Sequence, residues 1–142
     1  MKNELVIGFF IAALILSVLG FLFMEPQNEN QMSEQEATLL LADAAQKIAP
    51  HLPMMMDNIT RIDSIVTQPE RVCIYSYTLL GTSKETFNST RFITVAKPIM
   101  INAYKTREGL KVFRDLCVEI RHIYSDEQGV ELARFSITPE DF

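Results

Sequence analysis

Three hydrophobic patterns follow one another along this chain. Leu5 to Met24 (LVIGFFIAALILSVLGFLFM) is an uninterrupted apolar run in which Ser17 is the single polar residue. A helix of that length, rising about 1.5 Å per residue, spans roughly 30 Å, the thickness of a bilayer's hydrocarbon core. From Ala37 the spacing becomes helical, with Ala37, Leu40, Leu41, Ala44 and Ile48 on one stripe. Ser33 and Glu36 precede that stripe as a capping box, and Pro50 stops it. Beyond Arg61 the pattern alternates: Arg61–Thr67 is β-branched, Arg71–Leu80 (RVCIYSYTLL) is the strongest strand signal, and Gln68-Pro69-Glu70 turns the chain between them. Bulky residues occupy both faces of Arg71–Leu80, which predicts a central strand.

Helical spacing then returns. Phe92, Val95, Ala96, Ile99 and Ala103 predict a second helix over 90–104 with Pro98 off the stripe. Thr106 is the expected cap of a short third helix that points Leu110 and Phe113 inward. Val118, Ile120, His122 and Tyr124 alternate with charged neighbours, Ser125–Gly129 turns, and Val130–Thr138 returns with Ala133, Phe135 and Ile137 on one face. The order α-β-β-α-α-β-β predicts an α+β domain, an antiparallel sheet with helices on one face, behind an N-terminal transmembrane helix.

The rival to a membrane anchor at 1–24 is a cleaved secretory signal, with Val18-Leu19-Gly20 as a weak cleavage site. Phe21–Met24 continues the apolar run and no Ala-x-Ala follows, which favours a retained anchor. Lys2 precedes the run and no Lys or Arg follows it until Lys47, so the positive-inside rule leaves the N-terminus in the cytoplasm and the domain exported. Residues 25–32 (EPQNENQM) read as a tether reaching at most about 27 Å, and 33–142 as one periplasmic domain. That domain holds 15 acidic and 12 basic residues, with the basic ones scattered. Nucleic-acid binding, which needs a concentrated basic face, is therefore not expected.

Few residues suggest chemistry. Cys73 and Cys117 are candidates for one disulfide in an oxidising compartment. His51 with Met54-Met55-Met56 offers thioether and imidazole donors suited to Cu(I). Three consecutive side chains diverge on any regular backbone, however, so the expectation for Leu52, Met54, Met55 and Met56 is apolar packing or a partner-binding surface. Cys73 lies mid-strand among aromatics, where burial raises a thiol's pKa, and His122 sits on its strand's apolar face. Neither has the setting of a nucleophile or base. The carboxylates of Asp57, Asp63, Glu70, Glu140 and Asp141 have no spacing that fixes a working pair. No phosphate loop, zinc-protease helix or nucleophile elbow is present, so no cofactor is expected.

From Leu52 onward the chain resembles a widespread group of small bacterial envelope proteins of unknown function. The resemblance is carried by Leu52–Asp57 (LPMMMD), Thr60–Ser64 (TRIDS), Tyr75–Leu79 (YSYTL), Phe113-Arg114-Asp115, Ile123–Asp126 (IYSD) and Ile137–Asp141 (ITPED). It implies a bacterial, exported, small α+β domain and brings no activity with it. It also implies a pair of cysteines, one just after the aromatic that ends the second helix and one at the extreme C-terminus. This chain has Lys105 and Phe142 in those places.

The expectation is thus a single-pass inner-membrane protein presenting a non-catalytic interaction domain in the periplasm, with an envelope protein as partner. The alternatives are a periplasmic enzyme or metal-handling protein using His51 and Met54–Met56, and a secreted inhibitor or immunity-type protein released by signal cleavage.

Overall fold

A computed structural model describes residues 32–142. The anchor expected at Leu5–Met24 lies outside the described residues, among which no helix is long and apolar enough to cross a membrane.

Helix α1 (Glu34–Ile48) starts on the expected capping box: Ser33 accepts from the Glu36 N–H, and the Glu36 carboxylate reaches back to the Ser33 N–H. Such a cap typically contributes about 1 kcal/mol. Pro50 falls in the 3-10 turn that ends the helix. The chain continues through β1 (Met54–Met55), β2 (Thr60–Gln68) and β3 (Val72–Leu79), then α2 (Ser89–Thr106) and α3 (Lys111–Asp115), and closes with β4 (Glu119–Ser125) and β5 (Glu131–Ile137). Asn88 caps α2 by accepting from the Arg91 N–H, so the helix begins one residue before the expected Thr90. Thr106 does not cap the third helix. It ends α2, donating its hydroxyl to the Asn102 carbonyl, and a 3-10 turn at Glu108–Leu110 leads into α3 instead. Leu110 and Phe113 nevertheless point inward as expected.

The five strands lie in the order β1-β2-β3-β4-β5. The sheet is mixed rather than antiparallel, because β3 and β4 run parallel, Tyr75 beside His122 and Tyr77 beside Tyr124. The physical reason is the connection. Helices α2 and α3 carry the chain back along the sheet before β4 begins, and a strand entered from that end must run parallel to its predecessor. β1 was not anticipated. It pairs Met54 with Ile62 and Met55 with Arg61, a two-residue edge that an alternation test cannot detect.

All three helices cover one face of the sheet. Phe92 of α2 packs edge-on against Tyr124 at 4.8 Å, and Tyr104 lies 6.3 Å from His122. The inner stripe of α2 is Phe92, Ala96, Met100, Ala103 and Tyr104, rotated slightly from the expected stripe, so that Val95 and Ile99 are only half-buried. Pro98 is on the exposed side, where its missing N–H and ring stay clear of the core. Phe142 stacks against Tyr104 at 6.2 Å. Phe142, one of the two places where the resemblance implied a cysteine, thus contacts the residue just before the other, Lys105.

Candidate functional site

The centre of the core is aromatic and polar at once. His122 on β4 is fully buried, ringed by Tyr75 at 5.7 Å, Tyr77 at 5.8 Å and Phe135 at 5.1 Å. Its Nδ1 lies 3.2 Å from the Tyr77 hydroxyl, while its Nε2 and the Tyr104 hydroxyl have no hydrogen-bond partner among the described residues. Burial disfavours the imidazolium and lowers the His122 pKa to about 3. The same desolvation pushes the Cys73 thiol up to about 12 and Tyr75, Tyr77 and Tyr104 well above the usual phenol range. At neutral pH each of these groups is held in its neutral form. A thiol that does not ionise is a poor nucleophile, and an imidazole that does not accept a proton is no general base.

Cys73 and Cys117, the candidate pair for one disulfide, are not bonded to each other. Both are free thiols, Cys73 buried on the inner face of β3 and Cys117 exposed at the turn before β4. One side chain enters the core and the other leaves it, which is why an even count did not translate into a bridge.

The Leu52–Met56 segment is divided by its strand geometry. Met56 is a core residue at 2% exposure, Met54 and Leu52 pack partly against the core, and Met55 points outward at 44%. His51 is exposed on the preceding 3-10 turn. The thioethers alternate sides of an edge strand and do not converge on a point, contrary to what a Cu(I) site requires. Among the described residues no group of three or more His, Cys, Asp or Glu side chains is arranged to hold a metal ion.

A concave feature among the described residues is a small apolar cleft of about 20 Å³, room for little more than one water-sized group, between α1 and α3. Leu40, Leu41, Ala44, Ala45 and Ile48 form one wall, Val112 and Phe113 the other, Ile65 the side, and Cys73 and Tyr75 the floor. The two alanines make the space, since methyl side chains stand where the facing residues leave a gap. Arg71 joins the walls at one end. Its Nε pairs with Glu34 at 2.9 Å, Nη1 donates to the Leu116 carbonyl at 2.9 Å, and Nη2 donates to the Met32 carbonyl at 3.4 Å. Those bonds offset a conformational cost: Arg71 and Glu70 both take positive φ, 58° and 65°, which costs a non-glycine residue about 1–2 kcal/mol. The cleft is apolar and no charged group lines it. Nothing in the helical stripe of α1 announced it, because a groove is a property of two elements and their spacing.

The chain belongs to a family described as a domain of unknown function (DUF8479), whose sequence profile matches residues 35–133. No curated protein matches it in sequence. Solved structures share its fold. PA3611 from Pseudomonas aeruginosa superposes with a TM-score of 0.62 at 8% identity, covering 80% of this chain and 98% of its own. EpsS, the pilotin of the Vibrio vulnificus type 2 secretion system, gives 0.61 at 11% identity over 79% and 96%. AspS, the type II secretion system pilotin of Vibrio cholerae, gives 0.58 at 11% identity over 77% and 94%. At these identities the likeness is one of fold.

Proposed function

We propose that this protein is a non-catalytic binding module of the bacterial envelope, an accessory to a larger envelope assembly. In this reading Leu5–Met24 holds it in the inner membrane, residues 25–32 tether it, and the domain is displayed in the periplasm. The observation that carries the reading is the shared fold with two pilotins of secretion systems, matched over nearly their whole length. The site chemistry agrees with it: the core thiol and imidazole are held neutral, while the cleft and the exposed methionine edge offer apolar contact rather than reacting groups. Treating intact cells with a crosslinker that does not cross the inner membrane tests it. A crosslink from the domain to another envelope protein is expected. Modification by no such reagent, or crosslinks confined to cytoplasmic proteins, would overturn the reading.

A further inference from the structure

We infer that His122 Nε2 and the Tyr104 hydroxyl share one buried water molecule, which completes the hydrogen bonding of the aromatic core. The inference concerns the inside of the domain and does not rest on the binding-module reading. His122 and Tyr104 are both 0% exposed. They come from different layers, β4 and α2, with ring centres 6.3 Å apart and planes tilted by 50°. Neither the Nε2 nor the hydroxyl has a hydrogen-bond partner among the described residues. A buried polar atom without a partner loses its hydration and gains nothing in return. Native interiors therefore supply a partner, and an ordered water does so where the chain does not.

Water suits both atoms whichever way the histidine proton lies. The Tyr77 hydroxyl, 3.2 Å from Nδ1, can be donor or acceptor there. If it donates, Nε2 carries the ring proton and must donate in turn; if it accepts, Nε2 is bare and must receive. A water answers either state. The Tyr104 hydroxyl, which both donates and accepts, answers the other side of the water. Two hydrogen bonds of about 2.8 Å through one oxygen give a span that these rings can meet.

The surroundings select a small neutral occupant. Among the described residues no charged side chain bonds to these atoms, so an ion beside them would be buried without compensation. No group of three or more His, Cys, Asp or Glu side chains there is arranged to hold a metal. Further polar atoms are at hand, because the Cys73 thiol and the Tyr75 hydroxyl bond to each other and interact electrostatically with Tyr104. Cys73 and Tyr75 also floor the cleft between α1 and α3, whose free space is that of about one water. The cleft thus brings solvent to the edge of the polar centre.

The test uses the full-length protein in detergent micelles, with empty micelles as reference. Magnetic relaxation dispersion of isotopically labelled water counts the waters held inside a protein for longer than it takes to tumble. Tyr104→Phe should hold one such water fewer than the parent. His122→Phe should also hold one fewer, and the double variant should lose no second one, because both residues bind the same molecule. Met55→Ala, on the exposed edge, should leave the count unchanged. An equal count in the parent and Tyr104→Phe overturns the inference, as does the loss of two waters in the double variant. A parent holding no long-lived internal water overturns it without any variant, which keeps the test decisive should a substitution impair folding. Metal retained at one equivalent through chelation, measured by elemental mass spectrometry and lost in His122→Phe, overturns it in favour of an ion.

Discussion

Acidification should destabilise this domain through one residue, in a window where carboxylates do not yet titrate. His122 is buried among Tyr75, Tyr77 and Phe135 and its folded pKa is about 3, against an ordinary value of 6.5. Because the folded state disfavours the proton, the stabilising term is fully present above pH 6.5 and is lost as pH falls from 6.5 toward 3. Between pH 7 and pH 5 the unfolded chain binds nearly one more proton than the folded one. The loss over that interval is about 2 kcal/mol, set by the unfolded value because the folded one lies well below pH 5. Carried to pH 3 the same linkage reaches about 4–5 kcal/mol, a large share of a typical domain's stability. The carboxylates of Glu119, Glu131 and Asp141, held below their usual range by Arg121, Arg134 and the Thr138 N–H respectively, add their own losses only at more acidic pH. Urea unfolding at pH 7 and pH 5 isolates the histidine term. Replacing His122 by Phe keeps a planar ring in the aromatic cluster and removes the titration, so the variant should lose almost nothing between the two pH values. A wild-type domain equally stable at both pH values, or a variant that loses as much as wild type, would refute the argument.

Three further outcomes follow from the packing. Met56→Ala should cost about 2–5 kcal/mol in an unfolding titration, as truncation of a buried side chain does, while Met55→Ala should stay within about 0.5 kcal/mol. Arg71→Ala should release the start of α1, seen as faster amide exchange over residues 34–41 with β3 still protected, and should cost about 1–3 kcal/mol from the lost charged hydrogen bonds. A thiol reagent should modify Cys117 in the folded protein and Cys73 only after unfolding, because one is exposed and the other is buried with its thiol protonated.

Much of this fold was legible from local signals, and what was not depends on distance. The capping box at Ser33 and Glu36, the strand at Val72–Leu79 and the alternation through β4 are each specified within a few residues, and each is found. The central place of β3 was legible too, because both its faces carry bulk. The parallel pairing of β3 with β4 was not, since nothing local records the direction from which a strand re-enters a sheet. β1 was missed because two residues after Pro53 provide no period to read. The methionine run was half legible. Divergence of neighbouring side chains is a local property, but only the pairing of Met54 with Ile62 and Met55 with Arg61 fixes which thioether faces outward.

The reading of the whole chain as an anchored binding module is tested most directly by native mass spectrometry of the protein extracted from envelopes in mild detergent. The mass of the released chain reports the anchor, and the mass of the intact species reports the partner. The account predicts a chain retaining Leu5–Met24 within a complex of fixed composition with another envelope protein. A chain beginning near residue 21, found alone, would contradict it.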